Sequence, residues 1–314
     1  MHHALADYPF TRFSEQLQHR FGERVGKVCI DAGFTCPNRD GRKARGGCHF
    51  CEQGGARASH AEPDLPIRQQ VRCQIESVMD RSGSPRKFIA YFQAFSNTYA
   101  PLEILRRCYD AALDDEHVVG LMVGTRSDCV GSPVCHLLSS YLPRGPVWVE
   151  LGLQTVNQAT LDRMNRHERV EDFAEACGSA REAGLDVTAH VIFGLPGDDR
   201  ETNLRTVAYA AACGATGIKI HNLYVDDRSA IAEGWRRGAI VLPSLEEYVS
   251  LVCDALEILP AHIVIHRLTG QAPPAHHLAP AWATNKLDVQ RRVVEEMRRR
   301  GTTQGCRARS DYDY

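Results

Sequence analysis

No run of about 18 apolar residues occurs in the 314-residue sequence, so it contains no candidate membrane-spanning helix. The opening MHHALADYPF lacks the apolar stretch of a secretory signal, and the expected location is cytoplasmic, with no membrane partner. Net charge is nearly absent, with 37 Lys and Arg against 39 Asp and Glu. No global field therefore draws in nucleic acid, and a polyanion partner would need a local patch. Low-complexity tracts are missing, and 43% hydrophobic residues exclude disorder as the main state. No G-x-S-x-G hydrolase elbow occurs. The 12 cysteines fall well below the roughly 8% that marks a disulfide scaffold. In a reducing compartment, clustered thiols point instead to a metal or to catalysis.

Apolar, β-rich runs recur at Val25–Ile30, Phe88–Phe92, Val118–Val123, Val147–Leu153, Val187–Phe193 and Ile218–Val225. From the second onward their starts lie 30, 29, 40 and 31 residues apart, which is the length of a βα unit. Helical patterns fill the gaps, among them Leu102–Leu113, Val134–Leu142, Phe173–Ala183 and Asn203–Cys213, with Gly184 and Gly214 as helix stops. The pattern predicts an α/β chain, a partial six-unit (βα) barrel related to the TIM architecture, over residues 1–225. A C-terminal helical extension, 226–314, follows, with helices near Ala230–Arg237, Leu245–Leu259 and Asn285–Arg300. The first interval is 63 residues, about twice the others, and holds a Gly-rich loop, 34–55, before a helix over Pro66–Met79. An enlarged loop after the first strand is a natural place for a site.

That loop carries Cys36, Cys48 and Cys51 as C-x11-C-x2-C. Pro37 keeps Cys36 extended, Asp40-Gly41 makes a turn, and Gly46-Gly47 lets backbone approach whatever the thiolates hold. A structural zinc site wants four ligands, and only three thiols are here. His49 or His60 could supply the fourth, so zinc stays open beside an iron–sulfur cluster. Three cysteines on a four-iron cluster would leave one iron free for a substrate or cofactor. The remaining cysteines, such as Cys29, Cys177 and Cys253, stand singly in apolar elements and read as buried hydrophobes.

The loop with Phe50 directly before Cys51, set ahead of the βα repeats, resembles that of the radical SAM enzymes. Longer phrases narrow the likeness: GFTCPNRDG at 33–41, GTRSDC at 124–129, ELGLQT at 150–155, HVIFGLPG at 190–197, KIHNLY at 219–224 and HRLT at 266–269. They are similar to a bacterial branch related to the elongator catalytic subunit, without an acetyltransferase domain, and the likeness runs from about Val25 to Lys286. Ser127 departs from it, standing where that branch has proline. The resemblance implies that Cys36, Cys48 and Cys51 hold a [4Fe-4S] cluster whose free iron binds S-adenosylmethionine. It also implies a reducing partner such as flavodoxin or ferredoxin, and a tRNA substrate, with a wobble-uridine side chain as one target.

Alternation along each strand gives the lumen without the resemblance. Val147, Val149, Leu151 and Leu153 oppose Trp148, Glu150, Gly152 and Gln154; His190, Lys219, His221, Tyr91 and Gln93 fall on the equivalent polar faces. A lone polar residue in a barrel is usually structural, but so many across four strands predict a polar cavity. Glu150, Gln154, Tyr91, Gln93 and His190 are the expected cofactor contacts; Gly194, ending the fifth strand, suits a flat adenine, although a tight turn explains it nearly as well. Phe50 either stacks near adenine or anchors the loop. Tyr91, Lys219 and His221 are the candidate catalytic groups. Residues 286–309 carry eight Lys or Arg against three acidic residues, a local +5, so Lys286, Arg298, Arg299 and Arg300 are candidate phosphate contacts. An ordinary charged surface helix, apolar at Leu287, Val293, Val294 and Met297, is the alternative. A zinc-stabilised RNA-binding module, or a radical enzyme acting on a small molecule or protein, are the competing functions.

Overall fold

Each β-rich run of the sequence becomes a parallel strand. The computed structural model describes residues 8–308 apart from 53, 56, 59–60, 80–82 and 271–274. Helix α1 (Phe13–Phe21) is followed by β1 (Val25–Ile30), α2 (Ile67–Met79), β2 (Lys87–Phe92), α3 (Leu102–Ala112), β3 (Val118–Thr125), α4 (Ser132–Ser139) and β4 (Val147–Gln154). Then come α5 (Gln158–Arg163), α6 (Val170–Glu182), β5 (Asp186–Phe193), α7 (Arg200–Ala212), β6 (Gly217–Asn222), β7 (Val225–Asp226), α8 (Ala232–Arg236), α9 (Leu245–Ile258), β8 (Val264–Arg267), β9 (His277–Ala279) and α10 (Lys286–Arg300). The main sheet runs β1-β2-β3-β4-β5-β6-β8, so six expected strands are joined by a seventh from the C-terminal stretch. Its signal was only the short apolar run ending at His266, too brief to separate from a loop by periodicity. β7 and β9 form a small antiparallel pair.

Period-two alternation decides which way each side chain points. Val147, Val149, Leu151 and Leu153 of β4 meet Leu138 of α4 and Phe173, Ala176 and Cys177 of α6 in one core. Trp148, on the opposite face, packs inside the barrel with Phe13, Ile89, Met122 and Val264. A slip of one residue would turn the valines into the lumen, and burial of each is worth about 1.5–3 kcal/mol. The outer core continues into α9, where Tyr248, Val252 and Leu256 are fully buried, and into Val289, Val293 and Met297 of α10. Leu287, expected on that apolar side, is 71% exposed while Val289 is buried. Two residues of helix turn it about 200° away.

Helix ends follow local chemistry. Ser244 and Glu247 form a reciprocal capping box at the start of α9. Asp199 caps α7, and Gly214, just beyond its end, takes a left-handed φ of 89°. Helix α1 closes the N-terminal end of the barrel: Phe13 stacks on His266 at 3.9 Å and meets Trp148 edge-on at 5.3 Å. Arg12 pairs as a bridge with Ile265 of β8, so the segment before α1 covers that edge strand. No helix among the described residues is long and apolar enough to cross a membrane.

Candidate active site: a cysteine loop over a polar barrel

The segment leaving β1 is shaped by its own side chains. Gly33 N–H donates to Asp31 Oδ1 at 2.9 Å, and the Arg42 N–H to Asp40 Oδ1 at 3.0 Å, forming the turn expected at Asp40-Gly41. Backbone N–H groups of Arg39 and Asp40 return to the Cys36 carbonyl, and that of Cys51 to the Cys48 carbonyl. Gly46 and Gly47 both sit at φ 83°, which a β-carbon would strain. The loop is held from above by residues 164–168, a part of the site the sequence did not announce. Asn38 donates to the Arg166 carbonyl at 2.9 Å, Asn165 to the Gly47 carbonyl at 2.8 Å, and the His49 N–H to the Met164 carbonyl at 2.9 Å.

Donors also converge on the sulfurs. Asn38 Nδ2 lies 3.5 Å from Cys48 Sγ, Arg166 Nη1 3.8 Å from the same atom, and Arg39 Nη2 3.5 Å from Cys51 Sγ. Burial pushes the Cys51 thiol up to about 11, helped by Cys48 and Cys36 and opposed by Arg39, so the three thiols share one neighbourhood. Behind them Arg166 and Arg126 are buried against Glu168, at 2.6 and 3.6 Å, and Arg126 also pairs with Asp128 at 2.7 Å. The Ser127 N–H donates to Glu168 Oε1 at 2.7 Å, a bond that proline at this position could not make. Sulfur donors surrounded by guanidinium and amide N–H groups suit an anionic iron–sulfur cluster. Among the described residues no three His, Cys, Asp or Glu side chains converge on a single-ion site; His60 lies outside the described residues.

Below the loop, the expected polar lumen is assembled by side chains from four strands. Lys219 Nζ donates to Glu150 Oε1 at 2.6 Å and to Tyr91 Oη at 2.7 Å, while Tyr91 Oη donates to Glu150 at 3.0 Å. Burial works against ionised Glu150, but Lys219, then His190, hold its carboxyl at about 2. The His190 ring lies 4.1 Å from that of His221 and is kept neutral, its pKa lowered to about 3 by burial and then by Lys219. The same burial lowers His221.

Nearer the mouth, Gln154 ends β4 at φ 67°, a left-handed conformation unusual for a residue with a side chain. Among the described residues its buried Oε1 has no hydrogen-bond partner, and neither has Nε2 of His190. Buried polar atoms left open in this way fit a polar ligand between the loop and the triad. Gln93 follows β2 and its N–H reaches the Ile30 carbonyl at 3.4 Å.

Three of the expected site residues have structural roles. Gly194 has φ 88°, and a β-carbon there would come within 3.1 Å of Pro243, so backbone conformation and packing account for this glycine without an adenine. Phe50 packs with Met164, Ile192, Leu195 and Leu223, anchoring the loop to the ends of β5 and β6. Arg300 is not a free phosphate contact: it bridges Asp254 at 2.7 Å and Glu257 at 3.1 Å, tying α10 to α9. Arg299 is paired with Glu296 at 2.7 Å, and Lys286 is exposed at the start of α10. Helix α10 stands outside the barrel and is not brought to the cysteine loop.

The radical SAM superfamily model matches residues 38–210 and the radical SAM C-terminal domain model residues 215–299. Protein YtqA of Bacillus subtilis is 38% identical over 92% of this chain and 89% of its own. A tRNA uridine(34) acetyltransferase of Dehalococcoides mccartyi is 27% identical over 60% of this chain and 41% of its own. The structure of archaeal Elp3 from Methanocaldococcus infernus superposes with a TM-score of 0.68 at 19% identity, covering 89% of this chain and 64% of that one. Fold, cysteine loop and these matches together place the chain in the radical SAM superfamily.

Proposed function

We propose that this protein is a radical SAM enzyme in which Cys36, Cys48 and Cys51 hold a [4Fe-4S] cluster, with S-adenosylmethionine bound between the loop and the polar lumen. The observation that carries this reading is the three-thiol neighbourhood, in which Asn38 and Arg166 donate to Cys48 and Arg39 to Cys51. When bound, the reduced cluster supplies one electron for cleaving the sulfonium of S-adenosylmethionine to a 5′-deoxyadenosyl radical. A one-electron donor such as a flavodoxin or ferredoxin, in the cytoplasm, fits that need.

This chain's own residues bind and shield. Arg39, Asn38 and Arg166 donate to the thiolate sulfurs and offset their charge. Gln154 Oε1 and His190 Nε2, buried and open, are the groups left to accept or donate to the cofactor's amino, carboxylate or ribose groups. The Tyr91–Glu150–Lys219 triad fixes the floor below and holds its protons in a closed set. The apolar seat of Phe50 and the plug of α1 limit access of water.

The substrate we favour is tRNA, modified at a wobble uridine, and the support is the tRNA-acetyltransferase relative. Phosphate contacts would then come from the exposed Arg42 and Arg45 on the cysteine loop, and from Lys286, Arg298 and Arg299 of α10. The test is anaerobic purification with iron, sulfide and zinc analysis, then dithionite, S-adenosylmethionine and chromatography. About four irons per chain and 5′-deoxyadenosine are expected, both lost in Cys48→Ala. One zinc, no iron and intact S-adenosylmethionine would overturn the proposal and favour the zinc-stabilised RNA-binding module.

A further inference from the structure

The interior of the barrel carries more positive charge than its own carboxylate offsets. Lys27 of β1 reaches inward: its Nζ lies 3.6 Å from Met122 Sδ, 4.8 Å from the centre of the Phe13 ring and 5.2 Å from that of Tyr91. On the facing edge strand, Arg267 Nη1 lies 3.4 Å from His221 Nε2. Neither cation has an ion-pair partner among the described residues. Lys219 occupies Glu150, so Lys27 and Arg267 face the lumen without a carboxylate partner among the described residues.

This imbalance is not that of a sealed core. Lys27 is exposed to solvent although it faces the barrel interior. The sheet ends at β1 on one side and β8 on the other, so these two residues flank the seam between its edge strands, which α1 spans from below. Protein still surrounds the ammonium: burial, and then the nearby Lys219, lower its pKa to about 7. Arg267 adds to the same lowering, so the two cations stand within electrostatic reach of each other, and a bound anion would relieve their repulsion. Lys27 stands level with Ile89, two residues below Tyr91 on the α1 side. The site therefore lies deeper than Gln154 and apart from the cysteines, with α1 closing it below.

We propose that Lys27 and Arg267 form, beside the Tyr91–Glu150–Lys219 triad, an anion site in the barrel interior that takes the phosphate group of a small phosphate ester. Two positive charges match a phosphate dianion, the guanidinium fork gives paired donors, and the ammonium adds a point charge. Phe13 and Leu17 of α1 pack across this end of the barrel, which favours a small ligand over a macromolecule. The assignment does not depend on the cluster reading, since none of these residues touches a cysteine sulfur in the loop.

The test is calorimetric titration of the full chain, purified anaerobically in phosphate-free buffer, with inorganic phosphate and separately with acetate. One phosphate per chain is expected, with acetate weaker, and Lys27→Met and Arg267→Met should each weaken phosphate binding about tenfold or more. Lys27→Met keeps the stem packed on Met122, so it decides the matter even if Arg267→Met folds poorly. Reductive methylation of Lys27, read by peptide mass spectrometry, should slow when phosphate is present. Unchanged affinity in Lys27→Met, acetate binding as tight as phosphate, or no phosphate binding at all would overturn the proposal. Iron content and 5′-deoxyadenosine formation are read separately, so a failure here leaves the cysteine assignment standing or falling on its own assay.

Discussion

Helix α10 and the barrel lumen are both rich in cations, yet they hold them in opposite ways. Along α10, Arg291 pairs with Asp288 and Glu295, Arg292 with Asp288, and Arg299 with Glu296, all within one or two turns. In the lumen, among the described residues, Lys219 has a carboxylate partner while Lys27 and Arg267 face rings, a thioether and a neutral imidazole. The tail looked basic by counting, while the lumen carried no mark in the count. Carboxylates three or four residues away on a helix neutralise charge locally. Strands from distant parts of the chain bring cations together without bringing their partners.

The largest effect expected from breaking this contrast lies at Glu150. Its replacement by Ala leaves Lys219, 4% exposed, without its counter-ion, and should cost about 3–5 kcal/mol in chemical denaturation. The double variant with Lys219→Met should recover a large part of that; no recovery would mean that Glu150 acts through something other than this pair. Next comes Arg300→Ala, which releases Asp254 and the buried Glu257. A loss of about 1–3 kcal/mol is expected, and a change near zero would return Arg300 to the set of free surface charges.

Acid should separate the two regions further. His190 is held at about 3 against its ordinary 6.5, and Glu150 at about 2 against 4.5. Both folded values are depressed, so the unfolded chain binds more protons in that window. Their stability is fully present above pH 6.5, and falls as the pH drops toward 3 for His190 and toward 2 for Glu150. In His190→Asn the stability curve between pH 6.5 and 3 should flatten; an unchanged slope would remove His190 from the acid response. The smallest effect is predicted for Arg299→Ala, whose exposed pair with Glu296 is screened by solvent. Measured tRNA affinity, rather than stability, is where Arg299 should register.

How much of this was legible depends on the range of the interaction. Six strands, the helices between them and the inward face of β4 followed from spacing and alternation, because backbone geometry repeats every two or 3.6 residues. The three cysteines were legible because their ligand set lies within one loop. The polar set Tyr91, Glu150, His190 and Lys219 could be assigned to a face, but its polar contacts could not, since each joins residues at least 40 apart. Asn38 lay inside a quoted phrase and Lys27 inside the first strand run, but neither they nor Arg166 could be given a role, because each acts through a neighbour supplied by a different element. The same holds for β8, which is too short to declare itself and becomes a strand only because β6 offers it an edge.

The sequence by itself therefore determined the periodic elements, the cysteine loop and the polar side of each strand, all local properties of the chain. Only the tertiary structure decided which charges are met and which are left open, because charge compensation is a matter of distance in space. That is why Arg300 became a clamp, and why Lys27 and Arg267 face the lumen together without a carboxylate between them.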